Sequence, residues 1–550
     1  MKQIFTLLFC FFYALNISSQ TTWAWAKSAG GAQDDGGIAS STDNSGNTYV
    51  TGYFASTTIA FGTTTLTNSS AGTTDVFLAK YDTNGNPLWA VSTGSAGSEF
   101  ATSIATDVSG NIYVAGYFTN SPSGSRDVFL TKFNATGTII WTKTAAGTMD
   151  DFAASITTDA TGNIYMTGNF ESSTMLFTSI TLTNTGVADM FLAKYDTNGN
   201  ILWAQNAYGN HAEIGSSVAM DGTGSIYVTG YFYSPYSVFG QDTLVNTSVS
   251  FPPAFDPNGI DMFLVKYNSS GNVIWAKSMG GSEHEQGKSV TTFGNFVYVG
   301  GIFSSSVVTT GSVTLTNTGT NALYDIFLMK YDSNGNPVWG KSAGGTYWDY
   351  LHYAKTDIFG NIFVTGQFGA PSMSTGTNTL TNVGDYDIYL LKYDANGFVM
   401  TALAVGSQAH ENGMSVTTDA IGNAYLTGYT AGSTLTFGAS TINGAGNFDM
   451  YLAKLAGPTA GVASSTKEKG SFSIHPNPSA GYFSIDVSEL SGKNVTLSVF
   501  NITGKKIFEK TVSYSETDYF LDLSSEGEGV YFVKVNSEGV SKTTKLVLKR

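Results

Sequence analysis

Apolar and polar residues alternate along most of this chain, in short runs broken by polar turns. Ser103-Ile-Ala-Thr-Asp107 and Asn111-Ile-Tyr-Val-Ala-Gly-Tyr-Phe118 alternate with period two around Asp107-Val-Ser-Gly110. An aspartate there can accept backbone N–H bonds, and the glycine can take positive φ, so the segment predicts a β-hairpin. A second hairpin follows: Asp127-Val-Phe-Leu-Thr-Lys-Phe133, the turn Asn134-Ala-Thr-Gly137, and Ile139-Ile-Trp-Thr-Lys143. Four antiparallel strands per unit predict a propeller blade.

The unit recurs seven times. Its first hairpin turn is marked by Asn47, Asn111, Asn163, Ser225, Asn295, Asn361 and Asn423, 52 to 70 residues apart. Most of the length variation falls between the second and third strands, where surface loops tolerate insertion. The fourth strand recurs through Trp25, Trp89, Trp141, Trp203, Trp275 and Trp339, and Thr401 breaks the run. The chain opens on a fourth strand, Trp23-Ala-Trp-Ala-Lys27, and the array closes on a unit without one, at Asp449-Met-Tyr-Leu-Ala-Lys454. Both ends are explained if the first strand completes the last blade. The expected fold is all-β: a seven-bladed β-propeller over residues 21–457, closed by strands from both termini. A solenoid would have no use for the offset and would want capping repeats.

Composition supports this reading. Only 12% of the 550 residues are charged, 63 are glycine and 13% are aromatic, which suits many short strands and polar turns. The net charge of -15 is concentrated in the repeats, which hold 31 acidic against 14 basic groups. Such a field repels nucleic acid and anionic membranes and attracts cations. Lys2, the apolar run Ile4 to Ile17 and Ser18-Ser19-Gln20 predict a signal peptide over residues 1–20. That run is too short to span a bilayer, and no other candidate span exists. The single cysteine, Cys10, lies inside the leader, so the mature chain has neither disulfide nor thiol nucleophile.

The repeats resemble the bacterial β-propeller repeat family labelled SBBP, on Gly110-Asn-Ile-Tyr-Val-Ala-Gly-Tyr-Phe118 and Asp75-Val-Phe-Leu-Ala-Lys-Tyr81. The resemblance implies the fold and no single activity, since propellers host both enzymes and binding proteins.

After a small-residue and charged linker, 458–470, residues 471–550 follow another pattern. Phe472 to Ile485, Val495-Thr-Leu-Ser-Val-Phe500, Gly529-Val-Tyr-Phe-Val-Lys-Val535 and Lys545-Leu-Val-Leu-Lys-Arg550 alternate with turns at short intervals, predicting a small Ig-like β-sandwich. This module resembles the type A C-terminal sorting domain of the type IX secretion system. The resemblance is carried by Pro476-Asn-Pro-Ser-Ala-Gly481, Asn501-Ile-Thr-Gly-Lys505, Gly529-Val-Tyr531 with Val535, and Lys545-Leu-Val547; His475 stands where tyrosine is usual. It implies a Bacteroidota protein, secreted or held at the outer cell surface, with the type IX machinery as partner of residues 471–550.

Two candidate sites stand out. One is a set of acids eight residues before the hairpin aspartate position: Asp35, Glu99, Asp151, Glu213, Glu285, Asp349 and Glu411. They either accept turn N–H groups blade by blade or form a cation site, with Ca2+ the candidate for several oxygen ligands. The other lies where the repeat is broken. The sixth unit carries Thr346-Tyr-Trp-Asp-Tyr-Leu-His-Tyr353, offering Tyr347, Trp348, Tyr350, His352 and Tyr353. The fourth carries a long loop with Phe251 and Phe255. His211, His284, His352 and His410 fall in the connections between consecutive blades, on the same face. Exposed aromatics beside carboxylates suit sugar rings or a protein partner.

No metalloprotease, P-loop or nucleophile-elbow motif occurs. The sequence therefore points to a surface binding protein for an extracellular glycan or protein. The alternatives are a glycan-degrading enzyme using two of the seven acids, and a purely structural surface protein.

Overall fold

The computed structural model describes residues 22–457 apart from 120–123, 249–258, 320–322, 370 and 433. Beyond them it describes 473–475, 482–486, 495–501, 504–512, 518–523, 526–527, 529–537 and 540–548. The expected leader and linker, and Phe251 and Phe255, lie outside the described residues. The chain divides into two compact units between Pro458 and Thr459.

The first unit is all-β, with no helix among the described residues. It contains seven four-stranded antiparallel sheets. In the second sheet the order is Glu99–Thr106, Ile112–Thr119, Arg126–Phe133 and Ile139–Ala145. In the seventh, Glu411–Thr418, Ala424–Thr430 and Asp449–Leu455 are followed by Trp23–Ala29 as fourth strand.

One cross-strand row explains the repeated motif. In the first sheet Tyr49 lies opposite Lys80, which lies opposite Trp89. The Lys80 ammonium stands 4.8 Å from the Tyr49 ring centre, and the Tyr49 and Trp89 rings are 6.1 Å apart. Each such contact contributes roughly 0.5–1 kcal/mol, so its value lies in repetition. The seventh sheet assembles the same row from both ends of the unit, as Tyr425, Lys454 and Trp25.

In five sheets the row also clamps one sheet to the next. Lys132 Nζ and Trp141 Nε1 both donate to the Thr197 carbonyl of the following sheet, at 2.9 and 3.2 Å. Lys454 and Trp25 repeat this on Thr83, at 3.1 and 3.2 Å. The turn beneath each tryptophan needs glycine: Gly137 has φ +82, and a Cβ there would stand 3.0 Å from the Trp89 ring.

The first strands of all seven sheets line one cavity of about 390 Å³. They finish on hydroxyls that bond neighbour to neighbour. Thr106 Oγ1 donates to the Thr42 carbonyl at 3.2 Å, Thr158 to Thr106 at 3.1 Å, Thr356 to Thr292 at 3.0 Å, and Thr42 to Thr418 at 2.8 Å. One step higher, serines accept from the next strand, as Ser103 Oγ does from Ile156 N at 3.0 Å.

The stretch between second and third strands is more than a loop. Among the described residues, six sheets carry an extra hairpin there, such as Thr58–Phe61 with Thr64–Thr67. Its alternation buries Ile59, Phe61 and Leu66 in the core of the sheet, so this insertion has an apolar face of its own.

The second unit holds a three-stranded and a four-stranded antiparallel sheet. Alternate residues including Phe483, Leu497, Val499, Val533 and Leu546 form its core. Its Asn501-x-x-Gly-Lys motif is a turn, with Gly504 at φ +80 and Asn501 Oδ1 accepting from Lys505 N at 3.0 Å.

Candidate functional site

Each of the seven acids begins a first strand, and all are buried. Each accepts bonds from its own surroundings. Asp35 takes Gly31 N at 2.6 Å and Ser56 Oγ at 2.8 Å; Glu285 takes Gly281 N at 2.7 Å; Asp349 takes Gly345 N at 2.7 Å. Asp151 is bonded by Ser172, Glu213 by Ser237, Glu99 by Ser95 and Glu411 by Ser407. Among the described residues no three His, Cys, Asp or Glu side chains gather as a metal site would require. The seven acids are therefore not one ligand cage.

They meet a second carboxylate instead. The third strand of the preceding sheet begins with an aspartate, and the pairs Asp349 with Asp325 and Glu411 with Asp387 repel each other through the seam. Burial is the larger influence. Desolvation, then Asp325, pushes Asp349 up to about 8; desolvation pushes Glu213 and Glu285 up to about 7 and Asp151 to about 6. The Oδ1 atoms of Asp325 and Asp349 are buried without a hydrogen-bond partner. A Cβ at Gly344 would stand 2.1 Å from the Asp325 carboxylate, so glycine is required where the connection crosses the pair.

Every first strand also carries a β-bulge three residues after its acid. In the sixth sheet Leu351 pairs with Gly366 and Tyr353 with Thr365, leaving His352 extra. The equivalent residues are Ile38, Thr102, Ala154, Ser216, Lys288 and Met414. A bulge turns its side chain out of the sheet's alternation. His352 thus lies within a strand, not in a connection between sheets as its sequence position suggested. His211, His284 and His410 do lie in those connections: His284 and His410 form single bridges to Ile260 and Tyr386, and His211 precedes Ala212, which bridges Ala188.

Ala154, Ser216, Lys288 and His352, from four successive sheets, line a second cavity of about 400 Å³, with Tyr231, Tyr324 and Tyr350 over it. The aromatics continue from sheet to sheet. Tyr324 lies 5.9 Å from Tyr350, Tyr350 6.4 Å from Tyr386, and Tyr386 5.1 Å from His410. Tyr347, 46% exposed, sits against both Tyr386 and Trp348, which is 39% exposed.

The predicted aromatics therefore divide. Tyr350 and His352 line the cavity, and Tyr347 and Trp348 form an exposed shelf reached through Tyr386. Tyr353 occupies the position of the seam serines and packs against the seventh sheet's core. Sequence reading passed over Lys288, Tyr324 and Tyr386. Aligning the units on the bulge would have found Lys288, since Ile, Thr, Ala, Ser and Met fill that position in five other sheets.

Comparison with known proteins supplies two findings about the repeats. The chain is 25% identical to the WD repeat-containing protein L264 of Acanthamoeba polyphaga mimivirus, over 80% of this chain and 39% of that one. It is 25% identical to the regulatory protein FlaEY of Caulobacter vibrioides, over 60% of this chain and 36% of that one. The alignments thus span well under half of each relative. Among solved structures, Sqt1 from Chaetomium thermophilum aligns over 80% of this chain and all of its own at 8% identity, with a TM-score of 0.37, too low to carry an inference.

The C-terminal unit gives the decisive match. Residues 473–549 fit the family described as the secretion system C-terminal sorting domain. No helix among the described residues is long and apolar enough to cross a membrane. With a sorting domain at its C-terminus behind a repeat unit of four-stranded antiparallel blades, this chain is a type IX secretion cargo, delivered to the cell surface or the extracellular space.

Proposed function

We propose that this protein is a surface or released binding protein whose seven sheets form one closed seven-bladed propeller of SBBP-type repeats. It captures an extracellular glycan or protein on the face carrying the connections between sheets. Closure is supported by bonds between the first and last sheets: Thr42 to the Thr418 carbonyl, Ser40 Oγ with Ser415 Oγ at 3.1 Å, and the Trp25 and Lys454 clamp on Thr83.

The observation that carries the binding role is the aromatic surface running from Tyr231 through Tyr324, Tyr350 and Tyr386 to His410, with Tyr347 and Trp348 exposed beside it. Tyrosine and tryptophan give rigid apolar faces with a polar edge, which suits sugar rings. The glycan-cleaving alternative has less support. Its candidate acids are buried and held by their own turns, whereas acid and nucleophile must both reach a glycosidic bond.

A glycan and polysaccharide binding array, run with and without Ca2+, tests this reading. Binding should occur without release of products and should fall by at least about tenfold in a Tyr347/Trp348/Tyr350→Ala variant. Ca2+-dependent binding would promote the acids to a cation role. Absence of binding to every glycan would sink the glycan reading and direct the search to protein partners.

A further inference from the structure

We propose that the cavity beneath the aromatic surface binds the carboxylate of an acidic sugar, with Lys288 as its charge partner and His352 as its hydrogen-bond partner. This rests on the binding role above and names its ligand class.

Lys288 stands apart from the lysines of the repeated row. Those lie in third strands, and all seven reach either a carbonyl of the next sheet or a carboxylate. Lys288 occupies a bulge in a first strand. Its ammonium lies 5.1 Å from the Tyr231 ring centre, and no carboxylate among the described residues pairs with it. Burial lowers its pKa to about 8, so it stays mostly protonated at pH 7 as a poorly solvated cation. A half-buried charge without a partner costs stability, and the fold tolerates it where a ligand supplies the counter-charge.

His352 is the second unmet group. Burial first, then the Lys288 and His410 charges, lowers its pKa to about 4, so the imidazole is neutral at pH 7. Its Nε2 is buried without a hydrogen-bond partner. Neutral imidazole can carry its proton there and donate it to a carboxylate oxygen.

The acids nearest in sequence do not fill this role. Glu285 and Asp349 each precede the bulge by three residues, bond their own turns, and have pKa values raised to about 7 and 8. Partial protonation weakens the field they would set against an incoming anion.

The rest of the wall suits a sugar. Asn169, Gln286 and Ser216 offer hydroxyl-bonding groups, and Tyr231, Tyr324 and Tyr350 offer ring faces. A volume of about 400 Å³ falls within the range of small-ligand sites. Ala154 and Ser216, the small bulge residues of the third and fourth sheets, leave that space open.

Titration calorimetry on the full chain at pH 7 tests the proposal. The probes are digalacturonate and sialyllactose, each against its own methyl ester, which separate uronate from sialate sources and charge from shape. At least one acid should bind at least about tenfold more tightly than its neutral counterpart. Lys288→Met should erase that difference and Lys288→Arg should retain most of it. Equal affinity for acid and neutral partner, no binding of either acid, or an unchanged preference in Lys288→Met would each overturn the proposal. If neutral sugars bind and the aromatic variant loses them, the binding role stands and the acidic-sugar inference falls. If no carbohydrate binds in either format, the glycan reading falls with it. The acid-to-neutral comparison uses the native chain, so it decides the matter even where a variant fails to fold.

Discussion

The first strands meet solvent differently at their two ends. At the end nearer the hairpin turns, threonines close on one another: Thr42, Thr106, Thr158, Thr292, Thr356 and Thr418 each donate to a carbonyl of the preceding sheet. At the other end the bulge residues are Ile, Thr, Ala, Ser, Lys, His and Met, and two of them face a cavity with polar groups unmet. One end repeats because it serves every sheet alike. The other varies, and on the proposed binding role its residues answer to a ligand. On that reading the two demands are separated by position, and departures from the repeat mark the candidate binding surface.

Breaking the seam between the first and last sheets should have the largest effect. Deleting residues 22–29 removes the fourth strand of the seventh sheet, its Trp25 row and its clamp on Thr83. A loss of several kcal/mol is expected, since burying one large aromatic alone contributes about 3–5 kcal/mol. Chemical denaturation would register it as a lower midpoint. An unchanged midpoint would mean that the strand adds nothing to the seam.

The paired carboxylates respond to pH in the opposite sense to the hairpin aspartates. Asp349, Glu213, Glu285 and Asp151 have folded pKa values of about 8, 7, 7 and 6, all above their unfolded values. Their folded state binds protons more tightly, so their stabilisation is complete below about pH 4 and is lost as pH rises through 6 to 8. The hairpin aspartates Asp43, Asp159 and Asp221 run the other way. Their hydrogen bonds outweigh burial and lower their pKa values, so their contribution is lost as pH falls below about 4. The thermal midpoint should therefore be higher at pH 5 than at pH 8, and Asp349→Asn should flatten that slope. A midpoint rising from pH 5 to pH 8 would contradict the account.

Much of this was legible because the chain states it seven times. Lys80 and Trp89 recur nine residues apart in five units, Tyr49 recurs in the hairpin before them, and strand pairing at period two puts the three in one row. The sorting domain was legible from motifs at fixed turns, such as Asn501 to Lys505. Three features were not. The extra hairpins were read as loops because their lengths vary, although Thr58-Ile-Ala-Phe61 alternates. The seven acids recurred faithfully, yet spacing along a chain does not show that each carboxyl turns inward to its own connection. Lys288 was missed because a bulge shifts alternation by one residue, so strict period two assigns it to the wrong face.

On the proposed binding role, one end of these strands serves stability and the other a ligand. Thermal denaturation of Thr42→Val and Lys288→Met beside the parent chain tests it most directly. Thr42→Val should lower stability by about 1 kcal/mol, the worth of one hydrogen bond, whereas Lys288→Met should hold or raise the midpoint by removing an unpaired cation. Equal destabilisation by both would contradict the account, because Lys288 would then be structural like the threonines.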